Sequence, residues 1–144
     1  MYKKILVPLD GSPLAEAALP HAQALAKSEG AELILLRVAV TPARYLFAHN
    51  PAEGNNIIHT IEKEAEDYMN EEVAKLQNEG VKVTGITCDG MAPDEILEVA
   101  EETHADVIAM STHGRSGIKR WLMGSVADRV VHYSHIPVML IHPN

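Results

Sequence analysis

Five short runs rich in Val, Ile and Leu leave few folds open to this chain: Lys4–Leu9, Glu32–Val38, Val81–Thr87, Asp106–Ser111 and Pro137–His142. They are short enough to be strands and bounded by turn-forming residues. Each is apolar at successive positions, so both faces of the strand it forms are expected to be covered. Longer stretches with helical spacing lie between them. Strands that bury both faces and alternate with helices predict an α/β fold, a parallel sheet with helices on each side.

The helical stretches can be placed by their apolar spacing. Ala15, Ala18, Leu19, Ala22, Leu25 and Ala26 make one stripe between Pro13 and Gly30, with proline and glycine where a helix entry and exit favour them. A second and longest helix carries Ile57, Ile58, Ile61, Ala65, Tyr68, Met69, Val73 and Leu76 on one side and Glu62, Glu64, Glu66 and Lys75 on the other, ending before Gly80. Pro93 opens a third, with Ile96, Leu97 and Ala100 inward, and Ser125 a fourth, with Val126, Ala127, Val130 and Val131. Pro42, Pro51, Gly54 and an Asn pair make Ala39–Asn56 read as one long loop. No repeat or linker interrupts the 144 residues, and the length suits a single domain.

Charge and cysteine content narrow the function. A formal net charge of −8 argues against a surface built to bind nucleic acid or anionic lipid, because such binding neutralises phosphates with Lys and Arg. One cysteine, Cys88, excludes an internal disulfide framework and every multi-cysteine metal site. The apolar run after Lys3 and Lys4 is cut short by Asp10, and no apolar stretch is long enough to span a bilayer. The expectation is a soluble, cytoplasmic protein that engages neither nucleic acid nor membrane.

In an open parallel sheet, ligands bind beyond the carboxyl ends of the strands. Two strand-end loops carry useful chemistry there: Asp10-Gly11-Ser12, and the stretch from Ser111 through Gly124-Ser125. The second contains Arg115, Lys119 and Arg120 and no acid, a local reversal of sign that favours an anion. Its glycines leave room for backbone N–H groups to close on phosphate oxygens, and Gly124-Ser125 leads into a helix whose amino end is partially positive. Gly114 and Gly117 equally suit a tight loop requiring positive φ, and Ser125 with Asp128 equally suits a helix cap. Asp10 likewise suits a simple turn that caps the next helix.

Other candidates are weaker. His132 and His135 lie three apart without an evident third metal ligand, and Cys88 reads as a small hydrophobe at a strand end. Neither G-x-x-x-x-G-K-[ST] nor G-x-G-x-x-G occurs, so no enzyme class is written in the chain. Tyr45-Leu46-Phe47, in the long loop, suits either a partner site or packing against its own core.

The opening K-I-L-V-P-L-D-G-S, the segment S-T-H-G-R-S-G-I-K-R-W-L-M-G-S-V-A and the closing I-P-V-M-L-I together resemble the universal stress protein family over essentially the whole length. ATP-binding members carry Gly, two residues, Gly, nine residues, Gly, then Ser or Thr. Gly114, Gly124 and Ser125 match that pattern, while Ser111 stands where its first glycine would be. The resemblance implies a single-domain, open five-stranded parallel sheet of order 3-2-1-4-5 with helices on both faces, as in adenine nucleotide alpha hydrolase-like folds.

It also implies ATP as ligand, with adenine near Pro8, Leu9 and Val38 and Asp10 near the sugar or a nucleotide-bound Mg²⁺. Met110, Ser111, His113, Gly114, Arg115, Ser116, Gly117, Gly124, Ser125 and Val126 would complete the site. A homodimer through strand 137–142 is implied as well. The expected role is a nucleotide-dependent stress-response or signalling protein. A slow ATPase or phosphoryl-transfer enzyme, using Asp10 with Mg²⁺ and Arg115 or Lys119, and a nucleotide-free dimeric interaction protein are the alternatives.

Overall fold

A computed structural model describes residues 1–39, 51–113 and 123–143. The strands are β1 (Lys4–Leu9), β2 (Glu32–Ala39), β3 (Val83–Asp89), β4 (Val107–Ser111) and β5 (Val138–Ile141), and the helices are α1 (Pro13–Glu16), α2 (Leu19–Glu29), α3 (Pro51–Asn78), α4 (Ala92–Glu102) and α5 (Ser125–Tyr133). The five strands form one sheet of order β3-β2-β1-β4-β5, parallel at every pairing. This is the expected architecture.

Alternation along the strands sends side chains to two cores. Ile5, Val7, Leu33, Leu35 and Ala109 meet the small residues of α1 and α2 and Met69 and Leu76 of α3. Leu6, Ile34, Leu36, Ile108 and Met110 turn the other way, onto Ile96, Val99 and Ala100 of α4 and Ala127 and Val130 of α5. The central strands are therefore apolar on both faces, as their composition required. β3 departs from that expectation: Thr84 and Gly85 are exposed and Thr87 is half-buried, because β3 is the outermost strand on its side.

Three local readings are corrected. The first helical stripe is broken at Ala17 and Ala18, where the chain makes tight turns to Leu14 and Ala15 before α2 begins. Pro20 explains the break: it has no N–H to give the Glu16 carbonyl, and its ring would strike that carbonyl in a continuous helix. The stretch taken as a long loop is helical from Pro51 onward, since a proline needs no N–H in a helix's first turn; residues 40–50, with Tyr45, Leu46 and Phe47, lie outside the described residues. Ile57, placed on the inner stripe of α3, is 42 % exposed.

β1 and β2 stay in register through Leu9 and Arg37, whereas the registered pairs between β1 and β4 are Ile5 with Val107 and Leu6 with Ile108. The chain direction explains the difference. The Lys3 carbonyl accepts from Glu32 on the β2 side and the Lys4 carbonyl accepts from Asp106 on the β4 side. Backbone groups alternate sides along a strand, so Leu6 and Pro8 face β4. Pro8 has no N–H to offer, and the ladder stops before it. At the opposite end the same pair is held by Asp106, whose Oδ2 accepts from the Lys3 and Lys4 amides at 2.8 and 2.9 Å.

Candidate functional site

Strand order reverses between β1 and β4, since β2 and β3 lie on one side of β1 and β4 and β5 on the other. A crevice of about 420 Å³ opens there, across the carboxyl ends of the strands, where α/β sheets place ligands. Pro8 and Leu9 line it from β1 and Asp10 from the turn after it, Val38 comes from β2, and Met110, Ser111 and His113 come from β4 and the turn after it. Gly124, Ser125 and Val126 close it with the amino end of α5. Every described residue of the expected site is thus brought to one place. Gly114, Arg115, Ser116 and Gly117, with Lys119 and Arg120, lie outside the described residues.

The turn after β1 is built by two side chains. Asp10 Oδ1 accepts from the Ser12 amide at 2.9 Å and from the Ser12 hydroxyl at 2.5 Å, and Ser12 Oγ accepts from the Ala15 amide at 3.2 Å. Ser12 is the cap of α1, so the capping role considered for Asp10 is one step removed: Asp10 holds the capping residue.

After β4 the backbone is tightly wound. Ser111 is 6 % exposed, and its hydroxyl accepts from the His113 amide at 3.3 Å. His104 is the one non-glycine residue with positive φ among the described residues, so Ser111 occupies its position without backbone strain. Gly124 donates its N–H to the Thr112 carbonyl at 2.7 Å, and a Cβ on it would stand 2.9 Å from that same oxygen. Its φ of −62° is open to any residue. Glycine is required here by close approach and not by backbone freedom.

Gly124 also takes the N-cap position of α5, which corrects the reading of Ser125 as the cap. With no side-chain cap at that end, the amides of Ser125, Val126 and Ala127 fall in the helix's first turn, where N–H groups have no intrahelical acceptor. These residues line the crevice, and the helix dipole adds to the attraction for an anion.

Two charged residues in the crevice escaped the sequence reading. Arg37 is 5 % exposed, on the α3 side of β2, where its Nη2 donates to Glu64 Oε2 at 3.0 Å. Its guanidinium lies 5.3 Å from the centre of the Tyr68 ring, and Tyr68 donates its phenol to Glu16 at 2.7 Å. Burial, and then that bond to Glu16, hold the Tyr68 phenol well above its ordinary value. Arg37 Nη1 is buried without a hydrogen-bond partner among the described residues. Glu64 lies on the outer side of α3, as its spacing required, with its side chain 53 % exposed, and reaches this cation from the rim of the crevice. The signal was an arginine inside an otherwise apolar strand.

Cys88 lies apart from the crevice. Burial first, and then the Glu95 carboxylate beside it, push its thiol up to about 11. Among the described residues no three His, Cys, Asp or Glu gather as a metal site, and no helix is long and apolar enough to cross a membrane.

Comparison with known proteins adds the lineage. Residues 1–142 match the universal stress protein family. The chain is 39 % identical over 144 residues to universal stress protein MJ0531 of Methanocaldococcus jannaschii, covering 98 % of this chain and 82 % of that one. It is 34 % identical over 154 residues to universal stress protein MJ0577 of the same organism, at 98 % and 95 % coverage. The solved structure of MJ0577 superposes with a TM-score of 0.88, covering 100 % of this chain and 98 % of that one. A universal stress protein solved in complex with cAMP, 25 % identical, superposes with a TM-score of 0.64 and covers 98 % and 97 %.

Proposed function

The chain belongs to the universal stress protein family, and from that premise we propose that it binds an adenine nucleotide, foremost ATP, in the β1/β4 crevice and acts through its nucleotide-bound state in stress response or signalling. The observation that carries this reading is the first turn of α5. Ser125, Val126 and Ala127, whose backbone amides have no intrahelical acceptor, line a crevice of nucleotide size, beside a glycine whose missing side chain lets two backbones meet at 2.7 Å. Such an arrangement suits phosphate oxygens.

The base would lie over Pro8, Leu9 and Val38, with Met110 and Val126 beside it, and the phosphates would run toward His113, Gly124 and Ser125 and the segment bearing Gly114, Arg115, Ser116 and Gly117. A relative solved with cAMP supports an adenine ligand. Mg²⁺ fits as a cation carried in by the phosphates and met by Asp10, because Mg²⁺ commonly keeps its waters and takes one or two carboxylates plus phosphate oxygens. Cytoplasmic residence follows from this role. A second copy would pair along β5, the outermost strand on its side.

The direct test is calorimetric titration of nucleotide-free protein with ATP, ADP, AMP and cAMP in Mg²⁺. Micromolar ATP binding that weakens as phosphates are removed supports the assignment. Equal affinity for ATP and AMP would remove the phosphate role of α5, and no binding at all would refute the nucleotide reading.

A further inference from the structure

Thr112 is 1 % exposed, and its hydroxyl oxygen stands between two imidazoles, 3.0 Å from Nδ1 of His113 and 3.4 Å from Nδ1 of His142. His113 lines the crevice, and its other ring nitrogen, Nε2, is buried without a hydrogen-bond partner among the described residues. His142 follows β5 and is exposed. A hydroxyl has one proton and two lone pairs, so an oxygen that donates to one ring nitrogen is available to accept from the other. We propose that Thr112 and His142 are positioning residues that set the tautomer of His113, so that protonation of His142 at the surface makes His113 Nε2 a hydrogen-bond donor toward an anion in the crevice.

The proton count is as follows. Doubly protonated His142 donates its Nδ1–H to Thr112 Oγ1. The threonine proton is then directed at His113 Nδ1, which must accept it, and the single proton of neutral His113 resides on Nε2. When His142 releases a proton to water and presents a bare Nδ1, Thr112 donates to His142 and accepts from His113 Nδ1–H. His113 Nε2 is then a lone pair, which opposes a phosphate oxygen. In passing between these two arrangements the proton of neutral His113 changes ring nitrogen by exchange through solvent, and His142 gives up one proton to water. Histidine side chains as a class change charge between about pH 5 and 8, which is the range over which the proposal is tested.

Other charges near these groups can be named among the described residues. Asp10, Arg37 and Glu64 are the charged side chains lining the crevice with His113 among the described residues. Arg37 and Glu64 pair with each other, and Asp10 Oδ1 is engaged by Ser12. On α5, which covers the β4 side, Asp128, Arg129 and His132 are solvent-exposed. The Thr112 hydroxyl is the described group that joins the two imidazoles.

The consequence for affinity rests on the nucleotide reading, whereas the tautomer is measurable without ligand. Long-range ¹⁵N–¹H spectra of histidine-labelled protein distinguish the two neutral tautomers from the doubly protonated ring. The expected result is an Nε2–H form of His113 at low pH that gives way to Nδ1–H as His142 deprotonates. In His142→Ala and Thr112→Val this response should be lost, and Thr112→Ser should restore it. In calorimetry the ratio of wild-type to His142→Ala affinity for ATP cancels the nucleotide's own titration. It should exceed one at the acid end and fall below one at the alkaline end, a swing of roughly tenfold, the size of one hydrogen bond to a charged acceptor. A His113 tautomer that ignores pH, or follows the same course in His142→Ala, overturns the proposal even if ATP binds. A coupled tautomer in a protein that binds no ATP upholds it and refutes the nucleotide reading alone.

Discussion

Replacing Gly124 with alanine adds one methyl group at the point where two backbones meet. The new Cβ would lie 2.9 Å from the Thr112 carbonyl oxygen and 3.6 Å from the His113 Cα. The backbone angles at Gly124 accept alanine without strain, so the whole effect is steric. To reach ordinary contact the two segments must part by about half an ångström, and the neighbour is backbone that cannot rotate away. Overpacking of this kind costs about 1–3 kcal/mol of stability.

Function should suffer more, because binding constellations need their donors held within about 0.5 Å. The 2.7 Å bond from Gly124 to Thr112 lengthens and the first turn of α5 shifts with it. Losing one hydrogen bond to a charged phosphate weakens ATP roughly 10–100-fold. AMP, with a shorter phosphate tail, should lose less. Calorimetry with both nucleotides measures the difference, and a urea melt measures the stability. Gly30→Ala is the control: at φ +66° with nothing within 4 Å, it loses stability through the backbone alone and should leave ATP affinity unchanged. Wild-type affinity in a folded Gly124→Ala protein would refute the argument.

Arg37→Met should change stability by less than about 1 kcal/mol, because it removes a buried cation whose Nη1 has no hydrogen-bond partner among the described residues along with its 3.0 Å bond, whereas Glu64→Ala should cost more by stranding that cation; denaturant melts give the order, and a larger loss in Arg37→Met contradicts it. The Lys3 and Lys4 amides hold the Asp106 carboxyl below its ordinary value, so its contribution is present above that ordinary value and is lost as pH falls through the lowered one. Asp106→Asn should therefore be less stable than wild type at pH 7, with the gap closing below pH 3.8; a constant gap across the acid range would show that the charge is not the cause. With its thiol pushed up to about 11, Cys88 should react with iodoacetamide at pH 8 far more slowly than free cysteine, and mass spectrometry reporting equal rates would place the thiol in a different environment.

Much of this architecture can be read from the chain because the signals are local. A strand buried on both faces shows as an unbroken apolar run, and Gly124-Ser125 marks the entry to α5 by type alone. The order of strands came through family resemblance, since no residue pattern states which strands are neighbours. Pro20 was a visible signal outweighed by the apolar stripe on either side of it. The extra turns of α3 before Ile57 were masked by Pro51 and Gly54, residues that a first helical turn tolerates. Arg37 and Glu64 were harder for a physical reason. Their pairing joins β2 to α3 across 27 positions, and helical spacing, which rightly puts Glu64 on the solvent side, says nothing of a partner on a strand. Thr112 had no signal beyond its neighbourhood, because the histidine that shares its hydroxyl arrives 30 positions later.

The seam between β1 and β4 bears on how the molecule comes apart. It is bolted at one end by Asp106 and parted at the other by Pro8, so cohesion across the sheet is uneven along its length. Hydrogen exchange should divide the strands into two cooperative blocks, β3-β2-β1 and β4-β5, with the division widest at the carboxyl ends. A molecule lodged in that opening touches both blocks at once and acts as a clasp. Its presence would be registered as a change in how firmly the two blocks move as one, a mechanical signal that any partner gripping both could sense without touching the ligand.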